Sequence, residues 1–136
     1  MADPIRAHVE VSSSGADQFV TLYYDVFDNK RHILNHLYRD SSAILWNGNA
    51  HSGISPFQEF YNKLPASEHT VESYDCHPLP SRSQDPNTPC SVIVNVSGTV
   101  QYSNEKQKRL FSQSFVLSPD PVNGSFYVWS DCFRFV

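Results

Sequence analysis

No run of about 18 consecutive apolar residues occurs in the 136-residue sequence, so no segment has the length a helix needs to cross a bilayer. The opening stretch MADPIRAHVE carries charges where a signal peptide places its apolar core, which predicts a chain that stays in the cytosol or nucleus. Cysteine is scarce: Cys76, Cys90 and Cys132 are odd in number, lie far apart and form no CxxC pair. That pattern excludes a disulfide scaffold and the common zinc motifs, and suits reduced thiols. Basic charge is also short. Ten Lys and Arg against fourteen Asp and Glu give a net charge of −4, too little positive charge for direct nucleic-acid binding through phosphates. There is no P-loop, no dinucleotide fingerprint and no Ser-His-Asp or Cys-His order, so nothing in the chain calls for a cofactor.

What is present is a hydrophobic content of 40%, enough in a chain of this length to build the core of one domain over residues 1–136. Residues 1–14 read as a flexible N-terminus. Phe19, Leu22, Tyr23, Val26 and Phe27 recur at the spacing of one helical face, and Ser14 with Asp17 resembles a capping box, which predicts a long helix from near Gly15. Beyond the polar DNKR, Ile33, Leu34, Leu37 and Tyr38 resume that spacing in a second short helix. SPFQEFYNKLP predicts a third, with Ser55 as its cap, Pro56 in its first turn and Pro65 at its end.

The period then changes to two. Residues 71–76 predict one strand, Val92, Val94 and Val96 lie on one face of another, and Phe111, Gln113, Phe115 and Leu117 line a third. The prolines at 78, 80, 86 and 89 exclude regular structure from HPLPSRSQDPNTP, while SNEKQKR and SPDPVNGS read as hairpin loops. Strict alternation in FYVWSDCFRFV puts Tyr127, Trp129, Asp131, Phe133 and Phe135 under the helices. Val128, Cys132, Arg134 and Val136 then share the opposite face. An unpaired guanidinium there either meets a carboxylate or reaches solvent at the chain end. Helices followed by antiparallel strands predict an α+β domain with the helices on one face of a curved sheet.

Candidate chemistry is sparse. His32 and His36 stand four apart on a predicted helix, the spacing of a metal pair, but without a third ligand. Tyr23, Tyr24, Asp40, Asp75 and Asp131 are candidates for an acid-base cavity inside the fold, with Asp as base and Tyr as oxyanion donor, although tyrosines at helical spacing suit a core equally well. In AILWNGNAHSG, Asn47-Gly48 is a hairpin turn signal, because both residues tolerate positive φ, and the indole of Trp46 beside two amides marks a candidate pocket.

The stretch FVTLYYDVFDNKRHILNHLYRDSSAILWNGNAHSG, the Leu64-Pro65 helix end, DCHPLP, the valine-rich strand ending at Gly98, FSQSFVL and the closing SDCFRF together resemble the nuclear transport factor 2-like family. Within it they are more similar to the export subunits than to the import factor. The resemblance runs from about Phe19 to the last residue. It implies a cone-shaped α+β fold with three N-terminal helices packed on a strongly bent antiparallel sheet. It also implies a partner: a non-enzymatic small subunit pairing with the homologous domain of the large TAP-type messenger-RNA export receptor, with phenylalanine-glycine repeats of nuclear pore proteins engaged by the dimer. Arg134 would then form an ion pair with an acidic residue of the large subunit, with Cys132 and Asn95 on the same interface. The import factor binds the GDP form of Ran through acidic residues where this chain reads Trp46-Asn47 and QYSNEKQK, so that recognition is expected to be absent. Isomerases and dehydratases share the fold, but none of their catalytic patterns is complete here.

Overall fold

The computed structural model describes residues 4–79, 90–122 and 125–136, with side chains from residue 15 onward. Helix α1 (Pro4–Asn29) leads through a 3₁₀ helix (Arg31–Leu37) into β1 (Tyr38–Trp46), β2 (Asn49–Ser52) and α2 (Ile54–Asn62). Four long strands follow: β3 (Ser67–Pro78), β4 (Val92–Tyr102), β5 (Arg109–Pro119) and β6 (Phe126–Phe135). They form one curved, unclosed six-stranded sheet in the order β2-β1-β6-β5-β4-β3, with the three helices on its concave side. Neighbouring strands are antiparallel except for β1 and β6, which run parallel from Ala43↔Ser130 to Trp46↔Phe133.

The concave core is mainly aromatic. Phe19, Tyr23 and Phe27, from one stripe of α1, pack on inward-facing residues of the strands, among them Phe111, Phe115 and Phe133. Trp46 stacks on Phe133 with ring centroids 4.0 Å apart and lies nearly parallel to Phe27 at 5.8 Å. Each fully buried ring of this kind contributes about 1.5–3 kcal/mol, which is why the helices stay on this face. Two polar clamps fix the helices to the sheet. Arg31 donates to the carbonyls of Phe27, Tyr61, Leu64 and Pro65 and to Ser67 Oγ, closing the open C-terminal ends of α1 and α2 together. Asp28 accepts from the His69 backbone N–H at 2.7 Å and from Ser67 Oγ at 2.7 Å, and its Oδ1 sits 2.7 Å from His69 Nδ1.

Several local expectations are corrected. α1 starts at Pro4 rather than near Gly15, so Ser14 lies within the helix and is not its cap. The second helix is 3₁₀, and Tyr38 already belongs to β1. The residue capping α2 is Gly53, not Ser55: it adopts φ 87°, its N–H bonds the Ser42 carbonyl at 3.0 Å, and a Cβ there would meet the Asp40 carbonyl oxygen at 3.0 Å. Pro78 is the last residue of β3, tolerated because β3 is an edge strand. The prolines at 80, 86 and 89, and the Asn-Gly of SPDPVNGS, lie outside the described residues.

The alternation of β6 also breaks. Val116 pairs with Ser130 and Leu117 with Val128, which leaves Trp129 as an extra residue, a β-bulge. The bulge inverts the parity of the strand. Val128 is therefore buried on the helix side with Asp131 and Phe133, while Trp129 is 51% exposed and does not fill the core.

Candidate functional site

The convex face of the sheet carries no helix among the described residues. Its central row runs Asn95, Ser114, Cys132, Leu45 across β4, β5, β6 and β1, and Ser114 Oγ donates to Asn95 Oδ1 at 2.7 Å. The next row holds Ser97, Ser112 and Arg134. Ile93 and Val116 pair on the other side of the central row. Thus Asn95, Cys132 and Arg134, singled out from the sequence, are brought onto one exposed surface of small polar and apolar side chains. Arg134 has no hydrogen-bond or ion-pair partner among the described residues. Val128 does not join this surface, because the bulge at Trp129 turns it inward.

A second polar group lies inside the fold. Asp131 Oδ2 accepts from Tyr38 Oη at 2.6 Å, Tyr23 Oη lies 2.8 Å from Tyr38 Oη, and Gln113 Nε2 donates to Asp131 Oδ1 at 2.8 Å. Tyr24 Oη in turn donates to Gln113 Oε1 at 2.7 Å. Burial pushes the Asp131 carboxyl up to about 6 against the lowering effect of its hydrogen bonds, and burial pushes the phenols of Tyr23 and Tyr38 well above their ordinary value. Tyr23, Tyr24 and Asp131 therefore do converge, as the acid-base reading required, but Asp40 and Asp75 do not: both are exposed, and Asp75 pairs with Asn95 across the sheet. Tyr23, Tyr38, Gln113 and Asp131 are each about 1% exposed and bond one another, so the cluster works as a satisfied polar core. Sequence reasoning missed Gln113 and Tyr38 as its members. The available signal was a glutamine at an inward position of a strand otherwise lined by Phe111, Phe115 and Leu117.

His32 and His36 are both exposed on the 3₁₀ helix, where four residues correspond to a rotation of about 120° past a full turn rather than to one face. The Asp28–His69 contact had no signal in spacing, since it joins the end of α1 to the start of β3.

The third feature is a groove of about 600 Å³ between the β1–β2 turn, the end of α2 and the β4–β5 turn, walled by Trp46, Phe60, Leu64, Tyr102 and Phe135. The WNGN turn forms part of it. Asn47 and Gly48 take φ 48° and 84°, the conformation of a tight hairpin turn, and Asn47 is tied to β6 by bonds to the Phe133 carbonyl and the Phe135 N–H. The turn reading of WNGN holds, and Trp46, Asn47 and Asn49 are among the residues lining this groove.

Residues 15–135 match the model of the nuclear transport factor 2 domain. NTF2-related export protein 2 of Homo sapiens is 37% identical over 132 residues, 96% of this chain and 91% of that protein. Nuclear transport factor 2 of Emericella nidulans is 33% identical over 123 residues, 89% of this chain and 92% of that one. The solved structure of nuclear transport factor 2 from Cryptosporidium parvum superposes with a TM-score of 0.77 at 28% identity, covering 91% of this chain and 94% of that one. A more distant structure, a chain of the Candida albicans Mtr2–Mex67 M domain complex, shares the fold alone (TM-score 0.67, 17% identity, 88% and 93% covered). A family match over nearly the whole chain, on a fold of three helices over a six-stranded unclosed sheet, leads to one conclusion: this protein belongs to the nuclear transport factor 2 domain family.

Proposed function

We propose that this protein is the non-enzymatic small subunit of a messenger-RNA nuclear export receptor. It pairs its convex sheet face with the homologous domain of a large TAP-type subunit. The observation that carries the reading is the exposed, unpaired Arg134 beside Cys132 and Asn95 on an uncovered sheet face. A carboxylate of the partner completes that guanidinium, and the small side chains around it allow the two sheets to approach closely. By covering the partner's apolar face the subunit stabilises that domain, and the dimer engages phenylalanine-glycine repeats while shuttling between nucleus and cytoplasm. RNA contacts come from the partner, in keeping with the net charge of −4 here. The similarity to export proteins, and the complex in which Mtr2 was solved with Mex67, support this reading over catalysis. The closed Asp131 cluster supports it further.

The test is titration of the purified large-subunit domain into wild-type protein and the Arg134→Glu variant by calorimetry. The expected result is one-to-one binding by the wild type and a loss of about 2–5 kcal/mol in the variant, the cost of breaking a buried interfacial charge pair. An unchanged dissociation constant would remove Arg134 from the interface. Self-association with Ran binding and no affinity for the large subunit would replace the proposal with an import factor.

A further inference from the structure

Four of the six large hydrophobic residues exposed among the described residues, Leu45, Leu110, Trp129 and Val136, belong to the outward face of the sheet. Leu45 and Leu110 alternate with the buried Trp46 and Phe111, and Val136 continues the outward parity of Cys132 and Arg134. Trp129 comes to this face by a different route. It is the extra residue of the β6 bulge, between the inward Val128 and Ser130, which pairs with Val116 on the outward row. Val128 and Leu117 fill the concave side at this point, so the indole turns out to solvent. It makes no ring contact or side-chain hydrogen bond among the described residues.

An indole is the largest apolar side chain and carries one N–H donor, so half-exposed it leaves both area and a hydrogen bond for a partner to use. Its setting decides which kind of partner. The neighbouring outward positions hold the shorter side chains of Ser114, Val116, Ser130 and Cys132, over which the bulged indole projects as a knob. A second copy would have to offer a matching hole on the same face, because a two-fold pairing uses one patch twice. The groove at Trp46 and two smaller depressions, one beside Ser103 and one beside Asp25, are lined by none of Leu45, Ser114, Val116, Trp129 and Cys132. The complement of the knob therefore lies on a different chain.

We propose that Trp129 is the anchor that sets which large subunit this chain accepts: its indole enters an apolar recess on that subunit, where a backbone carbonyl takes the indole N–H. The recess lies about 13–17 Å from the carboxylate that meets Arg134, the length of β6 between the two residues. A large subunit with a charged or filled surface at that point is rejected, because the indole would cover an unpaired charge or clash. The inference rests on the convex-face pairing proposed above and adds an apolar contact to it.

The chain has two tryptophans, and Trp46 is 3% exposed against 51% for Trp129, so labelling with 5-fluorotryptophan gives one buried and one exposed fluorine signal. In the free chain the Trp129 signal, assigned by its loss in Trp129→Phe, should shift between light and heavy water. Adding unlabelled full-length large subunit should abolish that shift and leave the Trp46 signal in place. By calorimetry, Trp129→Ala should bind the large subunit about thirtyfold more weakly. Leu22→Ala, at an exposed position of α1 away from this face, should bind as wild type. The fluorine measurement uses the wild-type sequence, so it stands even if the alanine variant misfolds. One-to-one binding with the heavy-water shift retained and no loss in Trp129→Ala would overturn the inference and leave the Arg134 contact standing. No binding by the wild type would overturn both. Self-association of the free chain that Trp129→Ala abolishes would assign the knob to a second copy and overturn it as well.

Discussion

At the scale of single residues, the buried Asp131 and the partly buried Asp28 have opposite consequences for stability. Asp131 is pushed up to about 6 by burial, so the folded protein holds its proton more tightly than the unfolded chain does. Its contribution is full below the ordinary carboxylate value of 3.8 and is lost as pH rises through about 6, a span worth a few kcal/mol. Asp131→Asn should flatten the urea midpoint between those pH values; a profile as steep as wild type would place the titration elsewhere. Asp28 runs the other way. Burial raises it, but the His69 hydrogen bond and charge outweigh burial and hold it below the usual value, so its contribution is present above that value and disappears on acidification. Asp28→Ala strands the buried imidazole of His69 and a backbone N–H, and should cost about 1–3 kcal/mol in denaturant titrations at neutral pH. Asp131 was readable in the sequence as an acid among aromatics. Asp28 was not, because its partner lies 41 residues away on a strand whose register no local pattern fixes.

At the scale of elements, Gly98 sets how β3 and β4 cross. A Cβ at that position would lie 2.1 Å from the Thr70 carbonyl oxygen, and the register of β3 shifts beside it, between Val71 and Ser73. The missing side chain lets the two backbones close together where the sheet bends, the use of glycine expected inside a strand. Gly98→Ala should therefore destabilise by about 1–3 kcal/mol or more, read as a lowered thermal midpoint. A neutral effect would mean that the bend relaxes without cost. The alternating strands β4 and β5 were legible because each has one face in the core and one outside it. β6 was read correctly from Asp131 onward and misread at Val128 and Trp129, since a bulge is a relation between two strands and leaves no mark in the sequence of either one alone. The second helix was placed correctly and given the wrong pitch, because Ile33, Leu34 and Leu37 satisfy three- and four-residue repeats alike.

At the scale of the whole molecule, the proposed pairing of the uncovered sheet face ties stability to partner concentration. If the large-subunit domain binds only the folded chain, a hundredfold excess over the dissociation constant should add about 2.7 kcal/mol, and the thermal midpoint should rise with partner concentration. The same titration on Arg134→Glu should show a much smaller rise, and an equal rise in both would argue that the face is not the contact. The sequence by itself determined the α+β class, the three helical segments, the inward faces of β4 and β5, the WNGN turn and the family, because each is written in local spacing or in a contiguous motif. Only the tertiary structure decided the parallel pairing of β1 with β6, the inversion of β6 at Trp129, the Arg31 and Asp28–His69 clamps and the groove between the β1–β2 and β4–β5 turns. Those features depend on which distant segments meet, and that is set by how one shared core is filled rather than by any residue's neighbours along the chain.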